Sequence, residues 1–298
     1  MNKFKMTYGA ELELPDVDTT IDLPSNIGKW DMKDFTIVNS NGLANDPYKK
    51  YITIGSEVNM TPTDTVDGLI NNITELYSLV DTKTNHKSNL HIHVGVDGLA
   101  EDYESMHKLI DYTFRYGGYV MSKVDQFPAA ITDRMEERLK HLKASHQYEY
   151  PKSYQARILA GTTVKEVGDA HQPIRKRDGK RLTHLIRRCG INVRSMFDRG
   201  TVEFRHWFGT DSIDQYRDAV EWCELYVDNA IGEQKHPDEL LAKKDWNFPK
   251  MAQWDEKLQE QWEYTNLDKN KRMVVKQRLT ELLNENKINR QHLGCMFG

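Results

Sequence analysis

The chain has 298 residues, of which 29% are charged, 38% hydrophobic and 10% aromatic. That is enough length and apolar side chain for a sizeable core, and it excludes intrinsic disorder. Lysine and arginine number 41 against 45 acids, a net charge of −4, which gives no support to a dedicated nucleic-acid binder. No run approaches the ~18 apolar residues of a membrane span, and residues 1–8 lack the apolar core of a signal peptide. The three cysteines, Cys189, Cys223 and Cys295, are too few and scattered for a disulfide framework or a four-thiolate zinc site. A reducing cytoplasm is the expected location.

In chain order, residues 4–14 alternate as a strand, with Ala10, Leu12 and Leu14 on one face and Glu11 and Glu13 on the other. Residues 28–47 are rich in Asn, Asp and Gly and read as loop around a short strand at 35–38. Residues 51–60 are again strand-like. Thr61 and Pro62 then predict an N-cap and first-turn proline for a helix over 62–81, whose apolar stripe is Leu69, Ile70, Ile73, Leu76, Tyr77 and Val80. A strand follows at 90–96, then a long helix at 101–124 with Met106, Leu109, Ile110 and Thr113 facing inward. Residues 191–196 and 201–207 predict two short strands joined by a turn at 197–200. From Asp211 or Ser212 onward the chain reads as helical, with Tyr216, Ala219, Val220, Cys223, Tyr226 and Val227 on one face. The last sixty residues, which hold Trp246, Trp254 and Trp262, read as short helices packed outside.

Charge is unevenly placed. Between His171 and Arg205 ten basic residues face three acidic ones, a local excess of +7, whereas the first 22 residues hold five acids and two lysines. The basic stretch includes Arg175, Lys176, Arg177, Lys180, Arg181 and the pair Arg187 and Arg188. An acidic start and a basic later segment can share one site that holds cations and a polyanion together. Solvation of a helix and loop explains the 175–181 group equally well.

Four polar pairs stand two apart in predicted strands and so share a face: Glu11/Glu13, His91/His93, Asn192/Arg194 and Glu203/Arg205. The residues between them, Leu12, Ile92, Val193 and Phe204, face the core. Glu57 adds a further carboxylate near the end of the 51–60 strand. Any one pair alone reads more readily as a solvated sheet face. Together they favour a site, because adjacent like charges are destabilising unless a cation or water lies between them. Carboxylates and imidazole without thiolate suit Mg²⁺ or Mn²⁺, and arginines on the same face suit a nucleoside triphosphate clamped between metal and guanidinium.

These elements, in this order, resemble the amidoligase family of the glutamine synthetase/glutamate–cysteine ligase superfamily. The matching pieces are Gly9-Ala10-Glu11-Leu12-Glu13, Gly55-Ser56-Glu57-Val58-Asn59, Leu90-His91-Ile92-His93-Val94-Gly95, Ile191-Asn192-Val193-Arg194 and Thr201-Val202-Glu203-Phe204-Arg205. The resemblance spans roughly residues 5–230. It implies an α+β fold in which a curved antiparallel sheet forms a half-barrel, with helices on its convex side. A catalytic domain over 1–232 follows from it, and residues 233–298, which the resemblance does not cover, read as a helical C-terminal extension.

The resemblance further implies two to three Mg²⁺ or Mn²⁺ ions and ATP on the concave face. Glu11, Glu13, Glu57, His93 and Glu203 would be metal ligands, with His91 beside His93. Arg205 and Arg194 would stabilise the transferring phosphoryl group, Asn192 would contact substrate or a ligand water, and Arg187 and Arg188 are candidates for the nucleotide. The implied reaction is ATP-dependent amide formation through an acyl phosphate. It joins a carboxylate and an amine that the sequence does not identify. A glutamine amidotransferase-like partner is conceivable, and nucleic acid stays open as a large substrate.

Residues 145–181 are long and polar and read as a lid or a substrate-specific insertion. No G-x-x-x-x-G-K-[ST] loop is present, so nucleotide binding falls to metal and arginine. Two other enzyme readings stand: a phosphotransferase on the same scaffold, and a metal-dependent hydrolase using the His91/His93 pair. The hydrolase needs further ligands, and of His141, His146, His171, His184 and His206 only His206 has matching strand context. The full set of ligand-type residues argues against a binding protein that has lost catalysis.

Overall fold

The computed structural model describes residues 4–15, 17–31, 55–84, 88–124, 152–170, 189–249 and 269–285. It is α+β, built on one open six-stranded sheet in which every pairing is antiparallel. In chain order the strands are β1 (Met6–Pro15), β2 (Gly28–Asp31), β3 (Gly55–Met60), β4 (Asn89–Val96), β5 (Ile191–Asn192) and β6 (Thr201–Phe208). Their order across the sheet is β2-β3-β1-β4-β6-β5, so β1 and β4 lie at the centre.

Strand alternation produces one apolar face. Ala10, Leu12 and Leu14 of β1, Val58 of β3, Leu90, Ile92 and Val94 of β4 and Val202 and Phe204 of β6 are all buried there. Helices α1 (Val66–Leu79), α2 (Tyr103–Val124) and, after the short helices α3 (Lys152–Leu159), α4 (Val164–Ala170) and α5 (Ser195–Arg199), α6 (Ile213–Ile231) supply the other half of the core. Each fully buried leucine or isoleucine contributes roughly 1.5–3 kcal/mol. The expected stripes hold: Leu69, Ile70, Ile73 and Leu76 of α1 are buried, as are Met106, Leu109, Ile110 and Thr113 of α2 and Tyr216, Ala219, Val220, Cys223, Tyr226 and Val227 of α6. Beyond α6, α7 (Pro237–Leu241) leads to Trp246 and Phe248. Phe248 is buried between Trp207 and Trp222, so these residues join the same core. A last helix, α8 (Lys269–Asn284), buries Val275, Leu279 and Leu282. Among the described residues no helix is long and apolar enough to cross a membrane.

Four expectations need correction. Helix α1 starts at Val66, not at 62: Thr65 is the cap, accepting from Gly68 N at 3.0 Å, because Thr63 is held back by a two-bond bridge to Tyr8. Residues 28–31 form an edge strand rather than loop, with Trp30 opposite Val58. The 191–196 strand stops at Asn192. Arg194 is in helical conformation and caps α5, which occupies the expected turn and ends on Gly200 at φ 72°, where a left-handed residue closes the helix. Arg194 is therefore not the strand partner of Asn192. Lastly, β6 carries a bulge, with Arg205 and His206 both opposite His91 between the Leu90–Trp207 and Ile92–Phe204 pairs. The extra residue resets the alternation so that Phe204 and Trp207 both reach the core. The strand expected at 35–38, the start of the 51–60 strand and the basic group at 175–181 lie outside the described residues.

Candidate metal centre

The opposite face of the sheet is polar, and the pairing register sets its residues in three transverse rows. Asp31, Glu57 and Glu13 form one; Asn59, Glu11 and His91 the next; His93, Glu203 and Asn192 the third. Directly opposite residues lie within side-chain reach, so carboxylates and imidazoles far apart in sequence converge. This face is not a solvated one. Glu13 and Asn192 are 2% exposed, Glu57 and His91 3%, and Glu203 5%.

Glu11 is the centre of the arrangement. Its Oε2 accepts from His91 Nδ1 at 2.8 Å, and its Oε1 lies 3.2 Å from His93 Nε2 and accepts from Arg199 Nη1 at 3.1 Å. Glu203 accepts from Asn192 Nδ2 at 2.6 Å, is paired with Arg205, and sits 4.0 Å from His93 Nε2. Two groups of three donors result, with ligand atoms within 4.8 Å of one another: Glu11, His93 and Glu203, and Glu11, Glu57 and His91. One carboxylate belongs to both.

Burial alone would raise the pKa of Glu11, but His91 and His93 beside it outweigh that penalty, and the carboxyl lies well below its ordinary range. Glu203 behaves likewise. Burial pushes it up, while Arg205, then His93 and His91, pull it down past that penalty. Burial lowers Arg205 in turn, and Glu203 beside it more than restores its charge. Both carboxylates are thus held ionised by the basic side chains around them despite their low exposure.

The residues fit a metal. A carboxylate can only accept, so His91 Nδ1 carries a proton and Nε2 is the ring nitrogen that could hold a metal when it carries none. That Nε2 is buried and makes no hydrogen bond. His93 Nε2 is also buried and, although close to Glu11 Oε1, is not aligned to bond it. Its other nitrogen is fixed by Thr201 Oγ1 at 3.2 Å, which Ser195 Oγ meets at 3.1 Å. Buried polar atoms are normally paired, so two orphaned imidazole nitrogens beside buried carboxylates match the oxygen and nitrogen donor set of a divalent cation.

Of the residues expected from sequence, Glu11, Glu57, His91, His93 and Glu203 come together in the two groups. Glu13 shares the face but joins neither group, and its Oε2 accepts from Asn89 N at 3.1 Å and Asn89 Nδ2 at 2.7 Å. Asn192 and Arg205 flank Glu203. Arg194 is buried and committed to Asp198, Nε to Oδ2 at 3.1 Å. Arg187 and Arg188 lie outside the described residues. Three residues were not singled out: Asn89, Thr201 and Arg199. Asn89 stands two before His91, and Thr201 two before Glu203, so period-two spacing would have found both. The chain matches no family model, no curated protein and no solved structure.

Proposed function

We propose that the chain is an ATP-dependent carboxylate–amine ligase, working with Mg²⁺ or Mn²⁺ on the polar face of a glutamine synthetase-like half-barrel. The observation that carries this reading is Glu11, a single part-buried carboxylate common to two groups of three donors, with the Glu203/Arg205 pair beside it. Divalent cations held by these residues would suit a polyphosphate substrate. Bound there, the ions would neutralise charge on the nucleotide phosphates and on the group in transfer.

The chain's own residues do the rest. Glu11 keeps its two oxygens apart, one for each donor group. Thr201 fixes the ring of His93, and Glu11 that of His91. Arg205 presents a planar fork where the transferring phosphoryl group gains charge. Arg194, held by Asp198, is not assigned that role. In the first step an oxygen of the acid attacks the γ-phosphorus and ADP leaves. In the second the amine nitrogen attacks the acyl carbon, loses a proton, and phosphate departs with that oxygen. A buried face also protects the acyl phosphate from water.

The test is nucleotide consumption by the purified protein with Mg²⁺ or Mn²⁺ across pooled carboxylic acids and amines, with Glu203→Gln alongside. ADP and phosphate released only when both pools are present, and lost in Glu203→Gln, is the expected result. A phosphorylated product formed without amine would replace the reading with phosphotransfer. A shared carboxylate between two donor groups also serves metal-dependent hydrolysis, so hydrolysis without ATP would favour that second reading.

A further inference from the structure

Arginine 199 is carried by the link that delivers Thr201, Glu203 and Arg205 to the face. It is the last residue of α5, fixed at that end by Gly200. Its Nη1 lies 3.1 Å from Glu11 Oε1, the oxygen that also faces His93 Nε2 at 3.2 Å. Its side chain is nonetheless 50% exposed. Arg205 is engaged by Glu203 and Arg194 by Asp198, whereas the side chain of Arg199 is half exposed and uses one donor, Nη1, on Glu11.

A guanidinium and a divalent cation cannot share one carboxylate oxygen without strong like-charge repulsion. The position that Arg199 takes on Glu11 is therefore one that a bound ion would contest. Its long side chain and exposed half leave it free to move outward, and a polyphosphate lying across the ions would place anionic oxygens in front of its remaining donors.

We propose that Arg199 competes with metal for the shared carboxylate, and exchanges it for a nucleotide phosphate when ions and nucleotide bind. The inference rests on the two-ion, ATP-binding reading. It makes Arg199 a residue that positions the nucleotide and opposes binding of metal alone, so that ions enter best together with their polyanion.

The experiment uses the full chain stripped with EDTA. Mn²⁺ affinity is read from the electron paramagnetic resonance of the free ion, and the affinity of β,γ-imido-ATP at saturating Mn²⁺ by calorimetry, for wild type and Arg199→Ala. The contact is half exposed, so its removal should tighten Mn²⁺ binding by about two- to fivefold at low salt. That gain should shrink at high salt. Nucleotide affinity should move the other way, by about tenfold or more, as expected for a lost charge-assisted contact. A merely structural role would not move the two affinities in opposite directions.

Mn²⁺ affinity equal to or weaker than wild type in Arg199→Ala would overturn the competition. Unchanged nucleotide affinity would overturn the transfer to phosphate. Wild type that binds no Mn²⁺ would instead overturn the metal site on which both depend.

Discussion

Replacing Glu11 by Gln changes one atom and removes the charge that both donor groups share. Oε2 serves the His91 side at 2.8 Å and Oε1 the His93 side at 3.2 Å, so an amide must offer one side a donor where an acceptor stood. Substituting outer-shell partners of a metal typically weakens binding by about 10–100-fold, and loss of a shared ligand should exceed about 100-fold in each group, roughly 2.7 kcal/mol apiece. The controls follow from the same geometry. Glu57 belongs only to the His91 group and Glu203 only to the His93 group. Calorimetric or resonance titration with Mn²⁺ should therefore give two ions for wild type, one strong ion for Glu57→Gln, one for Glu203→Gln and none for Glu11→Gln at concentrations that saturate wild type. Two ions retained by Glu11→Gln, or equal losses in all three variants, would refute a bridging carboxylate.

Further outcomes concern stability, positioning and thiol chemistry. In EDTA at pH 7, Glu203→Gln should lower unfolding free energy by about 1.5–3 kcal/mol, the worth of a hydrogen bond to a charged group. Since the folded pKa of Glu203 lies below its ordinary 4.5, that difference is present above pH 4.5 and lost as pH falls below it. Urea midpoints for both proteins across pH should converge on acidification, and a gap that widens instead would contradict the sign. Thr201→Val should weaken Mn²⁺ binding by about tenfold or more by freeing the ring of His93, with Thr201→Ser near wild type; equal binding by the valine variant would remove Thr201 from the site. Burial pushes the Cys189 thiol up to about 12 and Cys223 well above its ordinary value. A thiol reagent should thus leave native Cys295→Ser protein unmodified and find two thiols after unfolding. Prompt native reaction would show that one of these burials is wrong.

Much of the polar face was legible in the sequence because strand periodicity is local. Leu12, Ile92 and Phe204 had to turn inward, so Glu11, His91, His93 and Glu203 had to turn outward together. Which carboxylate joins which histidine was not legible. It depends on β1 lying between β3 and β4, and on a register that sets Glu11 opposite His91 while Glu13 meets Glu57 and the amide of Asn89. Arg194 was misread for a related reason. Ile191, Val193 and Met196 look like a strand, but the chain turns helical as soon as Asn192 has paired with Glu203, and Gly200 supplies the left-handed end that stops the helix. The bulge at Arg205 and His206 was equally hidden, since it shows only when two residues are counted against His91. Arg199, read as part of a turn, gained its meaning from that helix.

The central claim is that an oxygen of a carboxylate substrate is phosphorylated and then leaves with phosphate. It is tested most directly by incubating the protein with Mg²⁺–ATP, pooled amines and pooled carboxylic acids labelled with ¹⁸O, and weighing the inorganic phosphate released. The account predicts one ¹⁸O atom in each phosphate formed, only when amine is present for turnover. Phosphate released without label would contradict it, placing the attack on water or on another acceptor.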